Sequence, residues 1–173
     1  DAVVTATGEN LMSGAWYVDH FLLTQEYEQL VQFTTELFRK GATTGNRNTK
    51  PSAPGKGVTD NRYARVQFGE GHFRYNGKQN VQSRHTKIPT VLRQLIQRLR
   101  DTRVLEGDEG ESIIINHYTK GQYISPHSDN AAYKDKVVSI TIGSETALNF
   151  TAKIEVTNPT SRMPLRDNQL TVI

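Results

Sequence analysis

The segment 111–130 reads ESIIINHYTKGQYISPHSDN and opens with a run of three consecutive isoleucines. A β-branched run of this kind, with Gly and charged residues on both sides, predicts a short buried strand. Side chains two positions apart in a strand point to the same side, so Asn116 and Tyr118 share a face with Ile114. His117 points to the opposite face. The segment therefore predicts a core strand that ends in a convergent pair of polar side chains.

His127 and Asp129 form a second pair further along the same segment. If the backbone is extended there, the imidazole and the carboxylate converge on one point. An imidazole and a carboxylate are two of the three protein ligands in the facial triad that holds Fe(II). A His-x-Asp pair by itself is more often part of a surface turn or a hydrogen-bonded loop. The metal interpretation therefore depends on the surrounding sequence.

Positive charge is concentrated in the middle of the chain. Residues 39–103 contain fifteen Lys or Arg and three acidic residues, a local charge of +12, whereas the whole chain carries +3 and the remainder therefore −9. The residues interleaved with these cations include Tyr63, Phe68, His72, Phe73 and Tyr75. Such a composition is expected of a surface that meets a polyanion and stacks on bases. A solvated basic face with its aromatic residues in the core is an equally good interpretation of the charge alone.

The overall composition indicates one soluble globular domain. The chain has 173 residues, of which 35% are hydrophobic and 23% charged, which is enough for a proper core. Cysteine is absent, and this excludes disulfides, zinc-thiolate sites and cysteine nucleophiles. No apolar run approaches about 18 residues, and the N-terminus lacks the layout of a signal peptide. We therefore expect a cytoplasmic location.

Both ends of the chain suggest that it is part of a larger polypeptide. It starts at Asp1 without Met and stops at Ile173 inside a predicted strand. Residues 1–15 are small and polar, and we expect a linker or a ragged N-terminus there. Residues 16–173 are expected to form one domain that is incomplete at its C-terminus.

The periodicity of apolar residues predicts two helices followed by many short strands. One amphipathic helix is expected at 25–40 with Thr24 as its N-cap, and a second begins at Pro89. The second helix has an apolar stripe formed by Leu92, Leu95, Ile96 and Leu99. Strands are expected at 16–18, 113–115, 136–143, 147–150, 153–156 and 165–173. This pattern indicates an α+β protein, mainly β, with a jelly-roll barrel and two packing helices on one side.

Residues 61–77 read NRYARVQFGEGHFRYNG and predict a hairpin of two short strands around Gly-Glu-Gly. Val66 and Phe68 fall on one face of the first strand. Phe73 and Tyr75 fall on one face of the second. The preceding residues, 41–60, are almost free of apolar side chains, and a loop of this length is either functional or disordered.

These motifs together resemble the core of the AlkB-like Fe(II)/2-oxoglutarate-dependent dioxygenases. The matching features are an Ile-rich strand, Asn-x-Tyr, Lys-Gly, Pro-His-Ser-Asp and a later Ser-Ile-Thr-Ile-Gly-Ser strand, in that order. The resemblance implies a double-stranded β-helix with Fe(II) as cofactor and 2-oxoglutarate as cosubstrate. It implies that His127 and Asp129 are catalytic residues that hold the iron. It also implies that Asn116 and Tyr118 contact 2-oxoglutarate.

A nucleic-acid substrate is a further implication of the resemblance. In AlkB-like proteins the region that matches the predicted hairpin forms the lid that grips the nucleotide. By this likeness Phe68, Phe73 and Tyr75 are candidates for stacking on a flipped base, and Arg65 and Arg74 for phosphate contacts. Packing on the core is the alternative for each aromatic residue. The implied reaction is oxidative demethylation of N-methylated bases, with single-stranded RNA as the favoured partner.

The family pattern is incomplete in this sequence. The second metal His of the family, and the Arg pair that binds the 2-oxoglutarate carboxylate, follow the strand that matches 169–173, so we expect them beyond Ile173. The remaining histidines do not readily substitute, because three precede the barrel and one faces away from Asn116; they are His20, His72, His85 and His117. We therefore expect the chain by itself to be nearly inactive.

The compact spacing between Asp129 and Val138 is similar to that in AlkB domains of the replicase polyproteins of filamentous plant RNA viruses. By this likeness we expect the parent protein to be a viral replicase that acts in the host-cell cytoplasm.

Two other functions are compatible with the sequence. One is a non-enzymatic module that binds single-stranded nucleic acid on a relict barrel, with His127 and Asp129 only packing a loop. Its binding would weaken steeply with salt and would not depend on metal. The other is a related dioxygenase that acts on protein or small molecules, for which the basic segment 39–103 would have no evident purpose.

Overall fold

The computed structural model of the protein describes residues 15–41, 64–69, 87–107, 112–124, 127, 136–150 and 161–173. The chain divides into two compact units, one formed by Asp1–Tyr27 with Ser125–Ile173 and the other by Glu28–Ile124. We call them the terminal unit and the central unit. The described elements are, in chain order, β1 (Trp16–Val18), α1 (Thr24–Arg39), β2 (Ala64–Gly69), α2 (Thr90–Asp101), β3 (Ser112–His117), β4 (Val138–Thr141), β5 (Thr146–Phe150), β6 (Ser161–Leu165) and β7 (Gln169–Val172).

Helix α1 confirms the helix that periodicity predicts at 25–40, with its boundaries shifted by one residue. Its start is closed by Glu26, whose Oε2 accepts a hydrogen bond from the backbone N–H of Leu23 at 2.9 Å. This is the carboxylate half of a capping box, and it satisfies a donor that the first turn leaves open. At the other end Glu36 pairs with both Arg39 and Lys40, at 2.7 Å and 3.0 Å.

The central unit is built on the antiparallel pair β2–β3, which runs in register from Ala64 opposite His117 to Gly69 opposite Ser112. One face of β2 supplies buried apolar side chains, and the ring of Phe68 packs 6.2 Å from that of Phe33. Helix α2 buries the apolar stripe expected from its sequence at Leu92, Ile96 and Leu99, while Leu95 is half-buried.

The terminal unit has a three-stranded antiparallel sheet in the order β1-β7-β4. Its central strand β7 is buried on both faces, because Gln169, Leu170 and Thr171 are each 0% exposed and Val172 is 3% exposed. In register, the neighbours of Leu170 and Val172 on β1 and β4 are apolar, whereas those of Thr171 are Tyr17 and Ser139. The sheet therefore has one apolar face and one polar face, and both are covered.

The prediction of one continuous strand at 165–173 is wrong. Strand β6 ends at Leu165, a turn follows, and β7 begins at Gln169. Asn168 takes up the left-handed conformation, with a φ of 53°, and Asp and Asn adopt such turn conformations more readily than other non-Gly residues. Turn chemistry therefore outweighs the strand propensity of the flanking apolar residues.

Asp167 and Asn168 connect this turn to the rest of the terminal unit. The carboxylate of Asp167 accepts hydrogen bonds from the Tyr27 hydroxyl at 2.8 and 2.9 Å and from the Gly143 backbone N–H at 2.8 Å. The Asn168 amide bonds both the N–H and the C=O of Leu22, at 2.9 and 3.0 Å. These contacts hold together segments that are far apart in sequence.

The remaining sheet pairs β5 with β6, from Thr146 opposite Leu165 to Phe150 opposite Ser161. Strand β5 confirms the strand expected at 147–150, whereas the strand expected at 153–156 lies outside the described residues. Only β2 of the predicted hairpin at 61–77 is described, and it pairs with β3. The described part of the chain is thus α+β, with two helices and three small antiparallel sheets that are not joined into a closed barrel.

Candidate metal and cosubstrate site

Strand β3 separates its side chains as the sequence predicts. Asn116 is exposed, and Ile114 on the same face is 38% exposed. Tyr118, one residue beyond the strand, is 40% exposed. His117 points the other way and packs its ring 4.7 Å from that of Phe38. The strand is therefore half-buried on the face of His117, and the two side chains expected to contact a cosubstrate lie toward solvent.

His117 is half-buried in the central unit. Burial lowers its pKa from the ordinary value of 6.5, because desolvation disfavours the charged imidazolium. The ring lies in contact with the Phe38 ring. His117 thus faces away from Asn116, as the alternation of the strand predicts.

Arg65 lies directly opposite Asn116 in the β2–β3 register. Directly opposed residues of an antiparallel pair place their side chains on the same face, with Cβ atoms roughly 5 Å apart. The Arg65 guanidinium donates to Gln67 Oε1 at 3.1 Å, and Gln67 Nε2 donates to Ser112 Oγ at 3.1 Å. A polar row formed by Arg65, Gln67 and Ser112 therefore shares the sheet face of Asn116.

Sequence reasoning missed the roles of Gln67 and Ser112 in this row. Gln67 is 2% exposed, and its amide is held at both ends by the neighbours just described. The available indication was the alternation of β2, which puts Arg65 and Gln67 on one face and Val66 and Phe68 on the other. The sequence alone does not show that β3 is the strand that pairs with β2, so Ser112 could not be placed beside Gln67.

The residues expected to contact nucleic acid are only partly described. Phe68 is 9% exposed and packs against Phe33, so its described contacts are those of a core residue. These contacts are the ones expected if Phe68 packs on the core instead of stacking on a base. Its stacking on a base stays a prediction. Phe73, Arg74 and Tyr75 lie outside the described residues.

His127 belongs to the terminal unit and is half-buried, and Asp129 lies outside the described residues. An imidazole and a carboxylate are the donor types that non-haem Fe(II) sites use, so the chemistry of this pair fits the metal. Within the described ranges no group of three or more His, Cys, Asp or Glu side chains could hold a metal ion. The two side chains therefore supply at most part of an Fe(II) ligand set.

A tight turn connects Tyr118 to Tyr123. The backbone N–H of Gln122 donates to the C=O of Thr119 at 2.9 Å, and the Thr119 N–H donates to the side-chain Oε1 of Gln122 at 2.7 Å. Gly121 has a φ of 84°, a conformation that L side chains rarely adopt. The turn projects Lys120 and Tyr123 into solvent.

Comparison with known proteins decides the family. Residues 14–173 match the 2OG-Fe(II) oxygenase superfamily. The chain belongs to this superfamily. It is also similar to the "Probable RNA/DNA demethylase ALKBH6" of Danio rerio, with 31% identity over 64 residues. The aligned part covers 37% of this chain and 27% of the relative, so the chain spans about a quarter of that relative's length.

Membership of the superfamily implies Fe(II) as cofactor and 2-oxoglutarate as cosubstrate. It confirms the broad class expected from the motifs at 111–130, since the match includes that segment. The two described helices, α1 and α2, are not long and apolar enough to cross a membrane.

Proposed function

We propose that the protein is an oxidative demethylase of N-methylated bases in nucleic acid, with RNA as the substrate, that uses Fe(II), 2-oxoglutarate and O2. Membership of the oxygenase superfamily supports the reaction type, and the likeness to a probable RNA/DNA demethylase supports the substrate class. The observation that carries the proposal is the side-chain arrangement of β3. Asn116 and Tyr118 are exposed, while His117 is half-buried and packs against Phe38.

In this function His127 and Asp129 would hold the iron, and Asn116 and Tyr118 would orient 2-oxoglutarate. When bound, Fe(II) with 2-oxoglutarate supplies the activation of O2. In the overall reaction one oxygen atom enters succinate as CO2 leaves, and the other hydroxylates the N-methyl carbon. The C–N bond of the product then breaks, formaldehyde leaves, and the base regains its N–H.

The protein contributes binding and orientation to this reaction. The exposed amide of Asn116 can donate to a carboxylate or keto oxygen, and the Tyr118 hydroxyl can donate as well. Arg65, opposite Asn116, places a permanent positive charge on the same sheet face. A cationic face suits a dianionic cosubstrate, because charge-assisted hydrogen bonds are stronger than neutral ones.

The basic segment 39–103 supports a polyanionic substrate. In the proposed function Phe73 and Tyr75 stack on the target base and Arg74 contacts phosphate, as the resemblance implies. The resemblance implies a phosphate contact for Arg65 and base stacking for Phe68, but their described contacts are to Gln67 and Phe33, and we assign Arg65 to the cosubstrate instead. We also propose that the three sheets belong to a double-stranded β-helix, the fold that the superfamily implies. Origin in a viral replicase stays a prediction.

The decisive experiment measures formaldehyde released from N-methylated single-stranded RNA in the presence of Fe(II) and 2-oxoglutarate. The assay uses the full-length protein, because the resemblance predicts a metal His in addition to His127. Release should occur in the wild type and should fall to background in His127→Ala. The matched control is His20→Asn, which changes an exposed His with a φ of 52° to a residue that tolerates that conformation. Full activity of His127→Ala would remove His127 from the site.

The non-enzymatic alternative gives a different result in the same assay. A binding module would retain RNA without forming formaldehyde or succinate, and its affinity would be insensitive to Fe(II) and 2-oxoglutarate. Formation of succinate without a nucleic-acid product would instead indicate a dioxygenase with another substrate.

A further inference from the structure

We propose that the turn from Thr119 to Gln122, with Lys120 and Tyr123, is a contact surface for single-stranded nucleic acid, in which Tyr123 stacks on a base and Lys120 pairs with a phosphate. We call these two residues the Lys120–Tyr123 surface. The identity of the polymer rests on the proposed function. The contact itself does not require chemistry at the metal.

The turn that carries this surface is held in one conformation. Two hydrogen bonds close it, from Gln122 N–H to Thr119 C=O at 2.9 Å and from Thr119 N–H to Gln122 Oε1 at 2.7 Å. Gly121 provides the positive φ of 84° without a side-chain clash. A surface that is already ordered loses little entropy when it binds, so its contacts contribute more of their energy to affinity.

Tyr123 presents its ring to solvent. It is 55% exposed, more than any other large hydrophobic residue in the described part of the central unit, where Ile114 and Tyr118 reach 38% and 40%. An exposed aromatic ring directly after a hydrogen-bonded turn offers a face on which any base can stack, and such stacking contributes about 1–3 kcal/mol per base. Tyr118 is assigned to the cosubstrate in the proposed function and is left out of this surface.

The charge around the turn is suited to a polyanion. Lys120 lies at the tip, and residues 112–124 contain no Asp or Glu. An aromatic ring beside a cation is the combination by which proteins hold single strands without reading their sequence. A peptide partner would instead need an apolar groove or an unpaired sheet edge. The turn from Thr119 to Gln122 provides neither feature.

The test is equilibrium binding of a labelled, unmethylated single-stranded RNA of roughly 12 nucleotides, within the range of known site sizes. Fluorescence anisotropy is measured without Fe(II) and without 2-oxoglutarate. Tyr123→Ala should weaken binding by roughly 5- to 150-fold, the equivalent of the stacking energy of one base. Tyr123→Phe keeps the ring and should bind within about twofold of the wild type.

Lys120 is tested by the salt dependence of the same binding. Lys120→Gln should lower the slope of log affinity against log salt by about 0.7, the value for one phosphate contact on a single strand. Lys120→Arg should keep the slope. Leu23→Ala is the matched surface control, because Leu23 is 62% exposed and belongs to the terminal unit. It should leave both affinity and slope unchanged.

Three outcomes would overturn the surface: Tyr123→Ala binding as tightly as the wild type, Tyr123→Phe losing as much affinity as Tyr123→Ala, or wild-type protein that does not bind the RNA. Thermal unfolding of each variant shows whether it is folded. Because the substituted positions are exposed, we expect each variant to unfold at the same midpoint temperature as the wild type. If Tyr123→Ala weakens binding while no formaldehyde forms from methylated RNA, the Lys120–Tyr123 surface stands and the proposed demethylation fails.

Discussion

Arg65 and Asn116 occupy directly opposed positions in the β2–β3 pair, so their side chains share one face of the sheet. The guanidinium is held there by Gln67 at 3.1 Å. The resemblance assigns Arg65 to phosphate and Asn116 to the cosubstrate. We propose from this pairing that the two side chains serve the same ligand.

Arg65→Met should weaken the binding of 2-oxoglutarate by about fivefold, because it removes a cation beside Asn116 and the donor that orients Gln67. The salt slope of RNA binding should be unchanged. Calorimetric titration with 2-oxoglutarate and anisotropy with RNA give the two quantities. Lys87→Met, which removes an exposed cation, is the control for net charge. If the slope falls by about 0.7 while 2-oxoglutarate binds normally, Arg65 contacts phosphate.

Asn168→Gly should lower the free energy of unfolding less than Asn168→Ala does. Both substitutions remove the two hydrogen bonds to Leu22, which we expect to cost about 1–2 kcal/mol. Ala additionally has to adopt the left-handed conformation, at about 1 kcal/mol more. Urea denaturation of the three proteins gives the free energies of unfolding. Equal values for Gly and Ala would show that backbone conformation at this position contributes nothing.

His117 should make the protein less stable in acid. Its folded-state pKa is lowered by burial from 6.5, so as pH falls the unfolded chain takes up the proton first. The free energy of unfolding should therefore fall below about pH 6.5 and level off once the pH is below the folded-state pKa. In His117→Phe, which keeps a ring against Phe38, this part of the decline should be absent.

The measurement is urea denaturation of the wild type and of His117→Phe. It is made at about pH 7.5 and about pH 5.5, which lie on either side of the ordinary His pKa. His20→Asn serves as the control, because His20 is exposed. An identical pH dependence in His117→Phe and the wild type would contradict the assignment.

Thr171→Val should stabilise the protein by about 1 kcal/mol. Thr171 is 0% exposed, and its Oγ1 has no hydrogen-bond partner among the described residues. An unpaired buried hydroxyl carries a desolvation cost that the isosteric Val avoids. The control is Thr34→Val, whose hydroxyl donates to the Leu30 C=O at 2.9 Å and should give no gain. A loss of stability in Thr171→Val would mean that the hydroxyl binds water or a ligand.

Several elements were predictable from local pattern. The apolar periodicity of 24–39 and 90–101 indicated both helices, and the alternation along β3 separated Asn116 from His117. These features depend on spacings of two, three or four residues, which the sequence displays directly. The Asn-x-Tyr and His-x-Asp motifs, in their order along the chain, carried the resemblance to the oxygenase family.

Other features could not be inferred from such spacings. The region 165–173 reads as one strand, yet Asn168 breaks it, because its amide finds partners at Leu22 and thereby favours the left-handed turn. The core position of Phe68 depends on Phe33, which a distant helix supplies. Contacts between remote segments decided both outcomes.

By itself, the sequence determined the helices, the faces of β3 and the family to which the chain belongs. Only the tertiary structure decided that Arg65 stands opposite Asn116 and that Thr171 lies buried between Tyr17 and Ser139. The physical reason is that strand register is set by pairing between distant segments, whereas the direction of each side chain along a strand is set by its own backbone.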